Sequence, residues 1–290
     1  MMHRRAFATA LAACIVAPAY AQVAPRTYRY AQSPGTAPDL QSLDLYASPG
    51  PNLWQGKPLL VFIHGGGWRI GDKANAPHGR QKAAFFNAQG YAYASINYRL
   101  SPAVTHPAHV EDVAAALAWL ADHAEQQGLD ARRIVVMGHS AGAHLAALVA
   151  TDARRLGAYG KPLSTIKGAI LLDGAGYDVT RQAPSVIARG GFLGEMYADA
   201  FGRDGALWAD ASPVTHVREG AGIAPFLIVH TDRPDAVAQS TLLAQRLRAA
   251  RVDAQLIRAA GYSHADANRK VGQAGEPVTE AIVAALRRWI

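Results

Sequence analysis

Ser140 lies in a pentapeptide whose composition suits nucleophilic chemistry. The sequence GHSAG at 138–142 places this serine between two glycines, each two positions away. It follows a short β-branched run at 133–137 and precedes residues 143–150, which have helical composition. A serine on such a strand-to-helix turn has a strained backbone, so glycines two residues away avoid clashes and its hydroxyl stands exposed. The pattern predicts that Ser140 is a nucleophile.

A second segment suited to chemistry, HGGGW at 64–68, directly follows the apolar run 58–63. Three consecutive glycines let backbone N–H groups approach a developing negative charge without obstruction by side chains. The segment is therefore a candidate oxyanion-binding loop. No Lys-Ser or Lys-Thr pair follows it, which disfavours a phosphate-binding loop.

A nucleophilic serine needs a general base, and the chain offers eleven histidines. His264 is the best placed, in the polar loop GYSHAD at 261–266, between the last predicted strand and the last predicted helix. His139 and His144 flank the serine in sequence, but the geometry of the turn predicts that both point away from it and serve as packing residues or as supports for the site. We therefore expect His264 to take the serine proton.

The acid that orients the histidine is expected after the predicted strand 225–230, where two aspartates compete. Asp232 and Asp235 both lie in HTDRPD at 230–235. Either residue could instead cap the helix that follows, and Asp235 is the better placed cap.

The predicted elements alternate between strand and helix, which indicates a mostly parallel sheet covered by helices on both faces. Residues 42–46 alternate in polarity and are expected to form an edge strand. The segment 177–217 is too long and too rich in aromatic residues for a simple connection, so it is expected to form a cap or substrate-binding insertion. The remaining strands are predicted at 27–31, 58–63, 91–96, 133–137, 167–172, 225–230 and 254–258, and helices at 73–89, 110–127, 239–250 and 278–289.

In combination these motifs resemble those of α/β-hydrolases of the esterase and lipase type. The resemblance is to hormone-sensitive-lipase-like carboxylesterases and their kynurenine-formamidase-like and feruloyl-esterase-like relatives, and it covers about residues 40–290. The matching text includes HGGGW at 64–68, NYRLSP at 97–102, GHSAGAHL at 138–145 and ASP at 211–213.

The resemblance implies the α/β-hydrolase fold with Ser140 as nucleophile and His264 as base. It also implies an oxyanion hole built from the N–H groups of Gly66, Gly67 and Ala141. The chain order of serine, acid and histidine is that of these enzymes.

The same resemblance favours Asp232 as the acid. In such relatives the acid precedes a Gln or Gln-Ser pair in the next helix, and Asp232 stands seven positions before Gln239. Asp235 stands only four positions before it and remains the alternative.

Residues 1–21 have the pattern of a secretory signal peptide, with a basic start, an apolar stretch and an A-x-A site, which predicts a mature start at Gln22. The apolar stretch is too short to span a membrane. A lipoprotein-type box at 11–14, ending in Cys14, is the alternative processing site. Cys14 is the only cysteine, so the mature chain would form neither a disulfide nor a Cys–metal site.

The charge of the mature chain does not favour a nucleic-acid partner. Removal of Arg4 and Arg5 leaves 27 basic residues (29 minus 2) against 22 acidic ones, a net charge of +5 without a dense basic block. His106 and His109 have no third ligand in view, so no metal is expected.

The sequence therefore predicts one α/β-hydrolase domain over 22–290 that acts as an exported serine carboxylesterase through an acyl-enzyme. It would be periplasmic or secreted, take small-molecule esters, and need no cofactor and no stable membrane insertion. A formamide or amide hydrolase of kynurenine-formamidase type is the nearest alternative, although export fits tryptophan catabolism poorly. A catalytically silent binding protein on the same fold is the alternative of another class.

Overall fold

The computed structural model describes residues 23–47, 56–75 and 79–290. The predicted signal peptide at 1–21, with its lipoprotein-type box, and the predicted mature start at Gln22 lie outside these residues.

An eight-stranded sheet forms the centre of the described structure. Its order is β1-β2-β4-β3-β5-β6-β7-β8. The strands are β1 (Arg26–Arg29), β2 (Ser42–Tyr46), β3 (Lys57–Ile63), β4 (Ala92–Ile96), β5 (Leu129–His139), β6 (Ile166–Leu172), β7 (Phe226–His230) and β8 (Ala254–Arg258).

Six of the strands, from β4 to β8 across the sheet, are parallel. The other two, β1 and β2, are antiparallel to their neighbours. The prediction that 42–46 forms an edge strand is wrong, because β1 pairs with its outer side and all five residues of β2 are buried. The carboxyl ends of the parallel strands meet at one edge of the sheet, which is where ligands bind in open α/β folds.

Helices cover both faces of the sheet, as the alternation predicted. They are α1 (Arg80–Ala88), α2 (Ala108–Asp122), α3 (Ala141–Thr151), α4 (Ala153–Gly157), α5 (Val179–Arg189), α6 (Gly191–Phe201), α7 (Pro213–His216), α8 (Pro234–Ala249), α9 (Asp266–Arg269) and α10 (Pro277–Trp289). Among the described residues, no helix combines the length and the apolar character needed to cross a bilayer.

The core is divided into two layers by the alternation of side chains along the strands. In β3, Leu59, Val61 and Ile63 face a cluster formed with α2, α3 and α8. The intervening Leu60 and Phe62 face a second cluster, formed with α1 and α10. The run of apolar residues in β3 is therefore explained by burial on both faces.

Residues 177–217, which we call the cap segment, are folded between β6 and β7 and contain α5, α6 and α7. The buried rings of Tyr197 and Phe201 in α6 meet Trp68 edge to face, with centroid distances of 5.3 and 4.7 Å. These cap aromatics thus pack against the HGGGW segment, an arrangement that stabilises aromatic pairs beyond the area they bury.

Candidate active site

Ser140 stands on a sharp turn between the end of β5 and the start of α3. Its φ of 56° and ψ of −121° are strained for a residue with a side chain. A Cβ on Gly138 would lie 2.1 Å from the carbonyl oxygen of Gly142, and one on Gly142 would lie 2.1 Å from that of Ile63. Only glycine fits at either position, so the sequence requirement around the serine has a direct steric cause.

The HGGGW segment lies directly against this turn. A Cβ on Gly65 would come within 3.0 Å of Ser140 Cβ, so the absence of a side chain lets the two backbones approach. Gly66 and Gly67 have φ values of 104° and 59°, which favour glycine, and a Cβ on Gly66 would lie 2.0 Å from the carbonyl oxygen of Ile70.

Gly66, Gly67 and Ala141 are the candidate backbone donors for an oxyanion at this position. Within the described residues, no backbone–backbone hydrogen bond outside the regular elements is donated by Gly66, Gly67 or Ala141. Ala141 begins α3, where N–H groups have no intrahelical acceptor and the helix dipole is positive. N–H groups from a loop and from a helix end are therefore candidates to bind one negative charge.

His144 anchors the loop that carries these donors. Its Nδ1 accepts a hydrogen bond from Trp68 Nε1 at 3.2 Å, and its Nε2 donates to the carbonyl oxygen of Ala211 in the cap segment at 2.7 Å. Burial lowers the pKa of His144 to about 3, which keeps the imidazole neutral. A neutral ring with its proton on Nε2 satisfies both bonds.

His264 lies after β8 and is held by Asp173, the residue that follows β6. The Nδ1 of His264 donates to Asp173 Oδ2 at 2.6 Å. The Asp173 side chain is fully buried, whereas that of His264 is 36% exposed. Because Nδ1 carries the proton, the lone pair of a neutral imidazole is on Nε2, as a general base requires.

Asp173 is kept ionised by groups at the end of the neighbouring strand β7. Its Oδ1 accepts from the backbone N–H of Thr231 at 2.8 Å and from the Thr231 hydroxyl at 2.9 Å. The Nε of Arg233 forms an ion pair with Oδ2 at 3.1 Å. Burial by itself raises the pKa of Asp173, but His264, Thr231 and Arg233 outweigh it and lower that pKa to about 2.

His139 supports the loop that carries His264, in agreement with a packing or supporting role. Its Nε2 donates to the carbonyl oxygen of His264 at 2.9 Å, and the two rings lie 4.5 Å apart. The loop that carries His264 is thus in contact with the residue before Ser140. His144 is fully buried, as expected of a packing residue.

The prediction that Asp232 orients His264 is wrong. The Asp232 carboxylate instead accepts from Arg258 Nε at 2.6 Å on the surface, where its side chain is 48% exposed. Asp235 does not bind the histidine either, and it is not the N-cap of α8, a position that Arg233 occupies.

The misassignment has a geometric origin. The ends of β6 and β7 are hydrogen-bonded neighbours, and adjacent strands lie about 4.8 Å apart, so an acid at either end can reach a histidine after β8. The spacing from Asp232 to Gln239 carried no catalytic information, because Gln239 Oε1 accepts from the backbone N–H of Asp178 in the cap segment. The feature of the sequence that could have identified the acid was the position of Asp173, directly after the predicted strand 167–172.

A buried lysine forms hydrogen bonds with the chain segment just after His264. The Nζ of Lys82 in α1 donates to both the backbone oxygen and Oδ1 of Asn268 in α9, each at 2.8 Å, and lies 5.1 Å from the centre of the Phe62 ring. Lys82 is fully buried, and burial lowers its pKa to about 7.

The lowered pKa of Lys82 predicts that stability rises with pH above neutrality. Above about pH 7 the folded protein loses a proton that the unfolded chain keeps until its ordinary lysine pKa, so raising the pH favours the folded state. The free energy of unfolding, compared with that of Lys82→Met, should increase by roughly 2–3 kcal/mol from about pH 7.5 to about pH 9.5. Denaturant unfolding at both pH values checks this, and equal slopes in the two proteins would contradict it.

One group of metal-ligating residue types occurs in the described part of the chain, formed by Asp152, Asp210 and His216. Arg154 and Arg155 form ion pairs with both carboxylates. Two guanidinium groups already balance the acidic charge, so the group fits an ion-pair network that ties the cap segment to α4 rather than a cation site.

Comparison with known proteins finds similarity to ester hydrolases and to a kynurenine formamidase. The model of the BD-FAE family matches residues 43–247. A probable carboxylic ester hydrolase, LipM, of Mycobacterium tuberculosis is 33% identical over 65% of this chain and 44% of its own length. A kynurenine formamidase of Meyerozyma guilliermondii is 32% identical over 55% of this chain and 57% of its own.

A solved structure extends the similarity over most of the chain. Esterase B of Lactobacillus rhamnosis superposes with a TM-score of 0.69 at 26% identity, covering 91% of this chain and 84% of that one. The same esterase has also been crystallised with a tributyrin phosphonate inhibitor. The chain spans less than half of the length of LipM and somewhat more than half of that of the formamidase.

Proposed function

The chain belongs to the BD-FAE family of α/β-hydrolases, and from this premise we propose that it is a serine carboxylesterase working through an acyl-enzyme. The observation that carries the proposal is the 2.6 Å hydrogen bond from His264 to the buried Asp173, in a loop that contacts His139, the residue before Ser140. This arrangement would supply the nucleophile, the base and the orienting acid of acyl transfer.

In the proposed reaction, Ser140 Oγ attacks the ester carbonyl while His264 Nε2 takes the hydroxyl proton. Asp173 holds the ring through Nδ1 and stabilises the imidazolium that forms. The same histidine then gives the proton to the departing alcohol, which leaves an acyl group on the serine. Water, deprotonated by His264, attacks that acyl group and releases the acid.

The negative charge of the tetrahedral intermediate would be stabilised by the N–H groups of Gly66, Gly67 and Ala141. Each well-placed donor lowers the barrier by about 3–4 kcal/mol in comparable sites. The donors are fixed before substrate binds, because Trp68 and His144 anchor the loop to the rest of the structure. Such preorganisation is what makes the contribution large.

A fluorophosphonate probe and a substrate series test the proposal together. The probe should label Ser140, as judged by peptide mapping, and the protein should hydrolyse aryl esters and feruloyl esters graded by chain length and leaving group. A silent binding protein on the same fold would neither react with the probe nor turn over any ester.

A formamide substrate is the second candidate, favoured by the similarity to a kynurenine formamidase. The same three side chains would serve an N-formyl group, since attack, proton transfer and oxyanion stabilisation are common to both reactions. N-formylkynurenine therefore belongs in the substrate series. A kcat/KM for it above that for every ester would reassign the enzyme to this class.

We also propose that the protein is exported and that the mature chain, residues 22–290, is one hydrolase domain. The signal-peptide pattern of residues 1–21 supports this. The expected result is a mature N-terminus at Gln22, measured by intact-mass and N-terminal peptide analysis of the secreted or periplasmic protein. A lipid-modified Cys14 in the membrane fraction would show that the lipoprotein-type box directs processing instead.

A further inference from the structure

Met196 lies on the oxyanion-loop residue Gly67. The methionine side chain fills the space that a Cβ on Gly67 would need, with its sulfur 2.8 Å from that position. Because residue 67 is a glycine, the Met196 thioether can occupy this space. A side chain on residue 67 would exclude it. This brings the sulfur next to one of the three N–H donors of the candidate oxyanion hole.

The contact is held by the packing of α6. Tyr197, the residue after Met196, is buried against Trp68, the residue after Gly67. Phe201, one turn further along the helix, also packs on the Trp68 ring. Two rigid aromatic contacts thus fix α6 on the loop, and the thioether cannot leave Gly67 by a small shift of the helix.

Met196 is also only partly buried. The residues three and four positions before it, Leu193 and Phe192, lie on the same side of α6 and are 48% and 70% exposed. Met137, the other methionine in the described part of the chain, is fully buried in β5. Small polar oxidants should therefore reach the two thioethers at very different rates.

We propose that Met196 is an oxidation site through which hydrogen peroxide, or a related peroxide, switches the active site off. The thioether sulfur attacks one oxygen of hydrogen peroxide as the O–O bond breaks, and the proton on that oxygen passes to the departing hydroxide, giving a sulfoxide and water. An organic hydroperoxide would release its alcohol in place of water. The sulfur is oxidised by two electrons and the peroxide is reduced by the same two. Methionine sulfoxide reductases reverse this change.

The functional consequence rests on the proposed esterase activity. A sulfoxide oxygen is a strong hydrogen-bond acceptor next to Gly67, where it competes with the reaction oxyanion for the N–H group. It also turns an apolar side chain into a polar one inside a packed contact, which displaces the loop. Loss of one oxyanion donor typically costs a hundredfold or more in rate, so oxidation should lower kcat by at least about tenfold.

The test treats the wild type, Met196→Leu and Met137→Leu with graded hydrogen peroxide, and normalises each rate to that of the same untreated protein. The wild type and Met137→Leu should lose activity in parallel, while Met196→Leu should keep it. Peptide mapping should show one added oxygen on Met196 before Met137. A methionine sulfoxide reductase should then restore the wild-type rate.

If peroxide inactivated Met196→Leu as much as the wild type, oxidation of Met196 would not be the cause of the activity loss. If Met137 were oxidised as fast as Met196, Met196 would not be the preferred oxidation site. These failures are distinct from failure of the proposed function, in which untreated wild type would hydrolyse no ester and resist the fluorophosphonate probe. Peptide mapping needs no activity, so it decides the identity of the oxidation site in either case.

Discussion

Ser140→Ala is expected to lower kcat for ester hydrolysis by at least about a thousandfold, because it removes the atom that would form the proposed acyl-enzyme. The oxyanion donors and the substrate site would remain, which accounts for a residual rate above that of water. Alanine keeps the same backbone strain at φ 56° and adds no atom, so the fold should persist. Initial rates, circular dichroism and fluorophosphonate labelling measure the three expectations separately.

Ser95→Ala is the matched control for this variant. Ser95 is fully buried in β4, and its hydroxyl has no hydrogen-bond partner among the described residues. Its loss should leave both kcat and phosphonate labelling unchanged. Near-normal activity in Ser140→Ala, with labelling at another serine, would show that the nucleophile has been misassigned.

Asp173→Asn is expected to lower kcat by up to about 10⁴-fold. The carboxylate fixes the proton of His264 on Nδ1 through a 2.6 Å hydrogen bond and would stabilise the imidazolium of the proposed mechanism. A neutral amide cannot provide that charge and can present N–H to the ring, which favours the wrong tautomer. The substitution is nearly isosteric, so activity should fall far more than the melting temperature.

Asp232→Asn separates the structural assignment from the sequence-based one. Asp232 forms an exposed ion pair with Arg258, and pairs of this kind contribute little to stability. This variant should keep its kcat and its melting temperature within a small change. If Asp232→Asn were inactive and Asp173→Asn were active, Asp232, after β7, would be the orienting acid.

The elements of this protein could be predicted because their causes are local. Apolar runs such as those of β3 and β5 are typical of strands buried on both faces, and their alternation with amphipathic helices predicts a parallel sheet. The turn at Ser140 was equally readable. Its glycines are required by close backbone contacts within the turn and with the end of β3. The GHSAG and HGGGW patterns mark these two segments in the sequence.

Pairing across the sheet was harder to foresee. Residues 42–46 have the polarity pattern of an edge strand, yet β1 covers them through four antiparallel residue pairs. Polarity alternation reports which face of a strand is buried, but it does not report whether another strand adds to its edge. The short β1, with mostly exposed side chains, carries little hydrophobic signal of its own.

The turn at Ser140, the glycine-rich loop at 64–68 and the position of His264 after the last strand could be read from the sequence, because each is specified by residues adjacent in the chain. The carboxylate that binds His264 could be identified only from the folded chain. Asp173 and His264 are 91 positions apart and meet because β6, β7 and β8 are neighbours in the sheet. Likewise, Thr231 and Arg233 at the end of β7 bind the carboxylate instead of supplying one. Strand order brings residues that are distant in the chain into contact, and the spacing of residues within one segment does not indicate that order.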